Sequence, residues 1–295
     1  MLEGMGFTYQ NEKTRQISFP LGGIGTGCIG LGGDGRLIDW EIFNKPNKCS
    51  RNGFSHFAVK AEDTEGKLLD ARIMNGPLQP PYDNSTTSRM YDGFGFGPVI
   101  GTMAGLPHFQ KSIFHGAFPF AAIELMHETF PGEVCFGAFN PFIPGNDLDS
   151  SIPAAMFNIH IRNISDAPIT YTIVGALTNP LPADNIHQYI QQEKGLHCLH
   201  LGTTAFGNDP ANFHLGDMTI ATDAEDISYQ QYNYHGSWYD ALEVYWYDFC
   251  TSGKFKPRHY DNAGAGNTAL LAAHKTVQPG ETCDLHFVIA WNFPN

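Results

Sequence analysis

Positive charge is scarce in this chain. Seventeen Lys and Arg stand against thirty Asp and Glu, a formal net charge of −13. With no basic stripe there is no electrostatic footprint for a phosphate backbone, and nucleic acid is excluded as a partner. Long apolar runs are missing too, since none approaches the roughly 20 residues of a membrane-spanning helix. Met1 to Gln10 lacks a basic segment followed by an apolar core, so no signal peptide is expected and the chain reads as soluble and cytoplasmic. The six cysteines, Cys28, Cys49, Cys135, Cys198, Cys250 and Cys283, form no C-x-x-C pair and are expected to be reduced and mostly buried. Thirteen histidines form no H-E-x-x-H set; His197 and His200, three apart in a predicted strand, point to opposite faces. Asn146, Asp147 and Asp149 lack the spaced carboxylates and glycine of a calcium-binding EF-hand. Neither a metal nor a cofactor is expected. No Gly-x-Ser-x-Gly elbow occurs, and no period of roughly 20 to 50 residues repeats, which excludes a propeller or solenoid.

Glycine is the opposite case. Eight glycines fall in the fourteen residues from Gly22 to Gly35, a density that neither a helix nor an ordinary strand tolerates. Gly25-Thr26-Gly27-Cys28-Ile29-Gly30 matches the G-x-G-x-x-G pattern of dinucleotide sites, but that pattern works only where it opens a helix, and Gly32, Gly33 and Gly35 forbid one. A phosphate loop is excluded as well, because no Lys-Ser or Lys-Thr pair follows Gly27. In Leu37 to Phe43, apolar Ile38, Trp40 and Ile42 alternate with Asp39 and Glu41, the period of a half-buried strand. On such a strand the two acids lie about 7 Å apart on one face, a spacing seen in inverting glycosidases. The plainer expectation is that they form the wet face of that strand.

The rest of the chain reads as strands and ordered turns, mainly β, with one or two short helices. Gly and Pro together number 51 and charged residues only 16%, which suits sheets better than long surface helices. Strands are predicted at 55–61, 121–127, 133–139, 155–162, 169–177, 195–201, 217–222, 268–276 and 282–291. The clearest is 155–162, where Phe157, Ile159 and Ile161 share one face and Asn158, His160 and Arg162 the other. Residues 62–67 form a polar hairpin-like turn, and Gln278-Pro279-Gly280-Glu281 a second turn. Asn84 and Asn163 begin formal glycosylation sequons, and for Asn163 turn chemistry is an adequate account. A helix is predicted from about Trp238 to Phe249, with Ser237 as cap and an aromatic face packed on a sheet, and a shorter one near 184–192. Residues 72–106, rich in proline and glycine, contain an extended loop carrying Phe94 and Phe96, placed to contact a substrate or a neighbouring domain.

Phe19 to Gly27, then Leu31 to Pro46 with its Asp39-Trp40-Glu41-Ile42-Phe43-Asn44 core, resembles the opening signature of the amino-terminal domain of glycoside hydrolase family 116. This is the family of bile-acid β-glucosidase and non-lysosomal glucosylceramidase. A second block agrees: Phe118-Pro119-Phe120, then Asn140 to Gly145 and Asp149 to Pro153. The resemblance runs from about Ile17 to the last residue. It implies a large antiparallel β-sandwich over residues 1–295, with catalysis by a retaining (α/α)6 barrel that follows the sandwich in the family and is absent from this sequence. No catalytic residue is therefore expected here. The expected role is to brace that barrel and to lend loops to the rim of its β-glucoside pocket, with Phe94, Phe96, Asp39, Trp40 and Glu41 as rim candidates and with self-association through the vacant interface. The alternative is a free-standing carbohydrate-binding module using Tyr229, Tyr232, Tyr234 and Trp238 as a sugar platform.

Overall fold

The computed structural model of the chain describes residues 6–78, 100–206, 212, 215–234, 236, 240–261 and 263–294. Its strands are β1 (Phe7–Gln10), β2 (Ser18–Leu21), β3 (Cys28–Gly32), β4 (Leu37–Glu41), β5 (His56–Glu62), β6 (Leu68–Ile73), β7 (Lys111–Ala117), β8 (Phe120–Met126) and β9 (Gly132–Phe139). They continue with β10 (Ala154–Asn163), β11 (Ile169–Thr178), β12 (Asn185–Gln191), β13 (His197–Thr203), β14 (Asp217–Thr222), β15 (Ile227–Gln230), β16 (Thr268–Val277) and β17 (Thr282–Asn292). Two α-helices interrupt them among the described residues, the single turn α1 (Asp147–Ser150) and α2 (Ala241–Cys250). A nine-stranded sheet runs β1-β7-β8-β9-β10-β17-β14-β13-β12, a five-stranded sheet β15-β16-β11-β5-β6, and a small sheet β2-β3-β4. Every pairing within these sheets is antiparallel.

The two large sheets face each other as a sandwich. At its centre Phe57 of the five-stranded sheet meets Phe136, Phe157 and Phe287 of the nine-stranded one at ring separations of 5.0–5.4 Å. The nine-stranded sheet has one wet face, so its alternation is clean. In β10, Phe157, Ile159 and Ile161 are buried, while His160 and Arg162 reach outward to Asp284 at 3.2 Å and Glu133 at 3.3 Å.

The five-stranded sheet is buried on both faces. Phe57, Val59, Ile173, Leu177 and Leu271 point into the sandwich. Ala58, Val174, Ala176, Leu270 and Ala272 point the other way and pack with Tyr245 and Phe249 of α2. This explains why 55–61 alternates so weakly in the sequence: both sets of side chains are apolar because both faces are covered. The aromatic face of the predicted helix therefore packs on a sheet, as expected. The helix begins at Ala241, with no capping bond from the Asp240 side chain; Ser237 and Trp238 lie outside the described residues.

The short helix predicted near 184–192 is not one. Residues 185–191 form β12, an edge strand paired in register with β13. Asp184 takes a left-handed φ of 41° instead of opening a helix, and inward-facing Asn185 and His187 are buried on a period of two. Turn chemistry holds at the other end of the sandwich. Asn163 is fully buried, its Oδ1 accepting from Ser165 N and Oγ and its Nδ2 donating to Ala167 O and Val277 O. Glu281 N donates to Gln278 O across Gly280 at φ 77°. All six cysteines are free thiols, and burial pushes Cys135, Cys250 and Cys283 up to about 11, which makes them inert.

Candidate functional site

The glycine-rich opening folds as β2-β3-β4, and its apolar residues Leu21, Ile29, Leu31, Leu37 and Trp40 join the sandwich core. A strand and not a helix takes up the second half of the G-x-G-x-x-G pattern, since β3 begins at Cys28. The glycines serve close backbone approach. Gly22 N donates to Asn140 Oδ1 at 2.7 Å, and Asn140 Nδ2 donates back to Pro20 O at 2.5 Å. Ile24 N donates to Ser150 O, and Trp291 Nε1 to Thr26 O. One asparagine side chain thus stitches the two blocks of sequence that carry the family likeness, with bonds that span 118 and 120 residues of chain.

Gly27 shows what the packing demands. It sits at φ 85°, and a Cβ there would lie 2.6 Å from Glu41 O, whereas Gly25 at φ 75° opens onto empty space. Gly25→Ala should lose only about 1 kcal/mol of stability, the left-handed backbone penalty. Gly27→Ala should lose about 2–4 kcal/mol, because strain and clash add. Urea unfolding of the two variants side by side checks the difference.

The alternation expected in β4 is broken. Asp39 takes φ 50° next to a register shift between β3 and β4, so it turns inward and is buried beside Trp40 rather than forming a wet face with Glu41. Its carboxylate accepts from Ser18 Oγ at 2.7 Å and Cys49 N at 2.6 Å. Lys48 Nζ lies 3.5 Å from Asp39 and 2.6 Å from Glu41. Burial alone would push the Asp39 carboxyl up, but the bonds from Ser18 and Cys49 and the Lys48 charge together hold it below the usual range. Trp40 is a core residue, its indole N–H donating to Leu37 O. Phe94 and Phe96 lie outside the described residues.

Around this opening the loops present an apolar surface. Ile24, Phe118, Phe120, Phe142, Ile143 and Leu148 are all exposed, with Phe118 against Phe142 at 5.3 Å and Phe19 at 6.2 Å. Phe120 opens β8, and the others come from the β2–β3, β7–β8 and β9–β10 connections. Polar anchors fix them: Asn146 Oδ1 caps α1 at Asp149 N, and Ser150 Oγ donates to Ile143 O while accepting from Ile143 N. Trp291 N of β17 donates to Pro153 O, which ties the last strand to the same end.

The tyrosines of the alternative platform are dispersed. Tyr229 stacks on Tyr189 at 4.3 Å between the sheets, and Tyr234 lies under the Arg258 guanidinium. Tyr232 alone lines a cleft of about 460 Å³, shared with Asp184, Asn185, Ile186, Thr204, His259, Tyr260, Asp261 and Ala263. These residues come from four separate stretches, and no sequence period could have gathered them. Among the described residues no group of three or more His, Cys, Asp or Glu is arranged to hold a metal ion, and no helix is long and apolar enough to cross a membrane.

None of the curated proteins matches the chain by sequence. Among solved structures it is similar to a polysaccharide lyase, at 7% identity with a TM-score of 0.36 over 98% of this chain and 33% of that one. It is also similar to a protein from the human microbiome provisionally described as a kojibiose phosphorylase, at 8% identity with a TM-score of 0.34 over 98% of this chain and 26% of that one. A third, from Escherichia coli K12 and provisionally described as an aldose 1-epimerase, shares 7% identity with a TM-score of 0.40 over 97% of this chain and all of that one. The chain thus spans about a third or less of the first two. A sequence match to the family described as "beta-glucosidase 2, glycosyl-hydrolase family 116 N-term" covers residues 18–295, and the chain belongs to that family of amino-terminal domains.

Proposed function

We propose that this chain is the non-catalytic β-sandwich of a β-glucosidase-type glycoside hydrolase, and that it braces an (α/α)6 catalytic domain through the apolar end built from Ile24, Phe118, Phe120, Phe142, Ile143 and Leu148. The observation that carries this reading is that end itself. Exposed apolar side chains gathered at one end of the sandwich on well-anchored loops mark an interaction surface rather than solvent-facing decoration. β17 also runs to that end, where Trp291 N donates to Pro153 O. The glycine-rich opening lies there too, which supports a rim role for its loops. Family membership points to β-glucosides, glucosylceramide-like ones included, as substrates of the whole enzyme. Free thiols throughout the chain suit a reducing, cytoplasmic setting.

Catalysis by the chain itself is disfavoured on chemical grounds. A retaining glycosidase needs one carboxyl held protonated to act as acid, facing a second about 5–5.5 Å away. Asp39 and Glu41 share Lys48, and the Asp39 carboxyl is shifted down, the wrong direction for an acid catalyst.

The purified chain should not turn over an aryl β-glucoside. It should bind the family's helical domain supplied in trans, or self-associate in its absence, and Phe118→Ser with Phe142→Ser should weaken that association by roughly tenfold or more. Turnover by the pure chain that Asp39→Asn or Glu41→Gln abolishes would overturn the proposal.

A further inference from the structure

We infer that the cleft between the start of β12 and residues His259, Tyr260, Asp261 and Ala263 binds a neutral mono- or disaccharide. The inference does not rest on the docking of a second domain. The cleft's volume of about 460 Å³ falls within the range of roughly 300–1,000 Å³ typical of small-molecule sites, and its lining divides into an immobile floor and a polar, aromatic mouth.

The floor is over-determined. Tyr232 is buried, its ring stacked on His187 at 4.6 Å and 8°, its hydroxyl accepting from His187 N at 3.0 Å. Asn185 is buried with both ends of its amide engaged, Nδ2 donating to Leu181 O and Oδ1 accepting from Asn267 N and Nδ2. Asn179 Nδ2 donates to Gly202 O, and Thr203 Oγ1 to Ala183 O. A merely structural core would be served as well by apolar side chains. A buried polar network, with only Asn267 Oδ1 left without a partner among the described residues, instead fixes the backbone at 183–186 and 202–204 in one geometry, which is what a preorganised site requires.

The mouth carries the recognition chemistry. Tyr260 is half-buried and stands edge-on to Tyr232 at 5.9 Å and 70°, with His259 edge-on at 5.8 Å. This offers an aromatic ring for the C–H face of a pyranose. Asp184 is exposed at the lip, and its carbonyl accepts from Thr204 N at 3.1 Å. Its φ of 41° lies in the left-handed region, less favourable for aspartate than for glycine. A carboxylate held there accepts from two neighbouring sugar hydroxyls, and Asp261 and Thr204 add further acceptors. Among the described residues no Lys or Arg lines the cleft while Asp184 and Asp261 do, so phosphorylated, sulfated and uronic sugars are disfavoured. The pieces match a neutral sugar, with polar edges toward carboxylates and one face on a ring.

The cleft opens at the same end of the nine-stranded sheet as the apolar loops, because Asn185 pairs with Thr203, Leu201 with Met218 and Asp217 with Asn292. It lies five strand spacings from β9, or about 24 Å.

Amide NMR of the full chain titrated with methyl β-glucoside and with cellobiose tests the assignment, with glucose 6-phosphate and choline as contrasting probes. The expected result is saturable shifts at Ile186, Thr204 and Ala263 with a neutral sugar and none with glucose 6-phosphate. Asp184→Ala and Tyr260→Ala should each weaken binding by roughly tenfold or more. Asp184→Gly relieves the backbone, so it should lose binding while unfolding at an equal or higher denaturant concentration, a pairing that general structural damage does not produce. The assignment is overturned by no saturable shift with either neutral sugar, by shifts with choline alone, or by sugar binding that survives both Asp184→Gly and Tyr260→Ala.

Discussion

Lys60→Met is expected to destabilise the chain by about 3–5 kcal/mol, and Lys60→Met combined with Glu62→Leu to restore most of that loss. Lys60 projects from β5 toward α2 and is almost fully buried. Its ammonium donates to Thr251 O and Gly253 O, both at 2.8 Å, and lies 3.1 Å from Glu62 Oε2. Glu62 Oε1 in turn accepts from Gly253 N at 2.8 Å. The pair clamps the end of α2 to the outer face of the five-stranded sheet, where carbonyls at a helix C-terminus favour a cation. Removing the lysine leaves a buried carboxylate with one backbone partner. Removing both charges leaves only Thr251 and Gly253 backbone groups, and these two residues are exposed enough for water to serve them. Urea unfolding of the two single variants and the double variant gives the coupling directly. A single variant as stable as the parent would show that the clamp contributes nothing.

That clamp was not legible in the sequence, and the reason is general to this fold. Alternation reveals a strand only when one face is wet. It marked β10 clearly through Phe157, Ile159 and Ile161, but it was weak in β5, where Lys60 and Glu62 are buried alongside Ala58 on a covered face. Asp39 and Asp184 defeat periodic reading for another reason: each adopts a left-handed φ, which reverses the face or ends the element regardless of polarity. α2 was legible because Tyr245 and Phe249 recur at helical spacing on the side that meets the sheet. The apolar end was legible only as a resemblance. That Phe118, Phe142 and Ile24 converge depends on Asn140 bonding across to Pro20 and Gly22, a contact that no local pattern encodes. The saccharide cleft lies furthest from sequence reach, since Tyr232, Asp184 and Tyr260 meet only through strand register.

Acidification should destabilise the chain already between pH 6.5 and pH 5. His56 and His274 are buried and neutral, and burial holds both near a pKa of about 4 against an ordinary 6.5. His56 Nδ1–H donates to Phe54 O, so its Nε2 accepts from Tyr245 Oη at 2.7 Å, and a second proton on Nε2 would cost the buried Tyr245 hydroxyl its acceptor. His274 is held by Thr172 Oγ1 and Ser228 Oγ, both at 2.8 Å, with Asp226 raising its affinity for a proton and Lys254 and Lys60 lowering it. Because the folded pKa lies below the unfolded one, the unfolded chain binds more protons between the two values. The stability these histidines contribute is complete above about pH 6.5 and is lost as pH falls toward 4. At pH 5 each loses about 2 kcal/mol, taking about 1.36 kcal/mol per pKa unit, so the two together remove about 4 kcal/mol from a total that is typically about 5–15 kcal/mol. Asp39, held below the ordinary carboxylate range, loses its contribution only in more acidic solution, so the windows separate. Urea midpoints at pH 7.5, 6 and 5 should fall steadily, and His274→Asn should flatten the profile by about half while lowering its plateau. A midpoint that stays level from pH 7.5 to 5 would mean that these imidazoles accept protons in the folded chain, and that the cavities around them admit water.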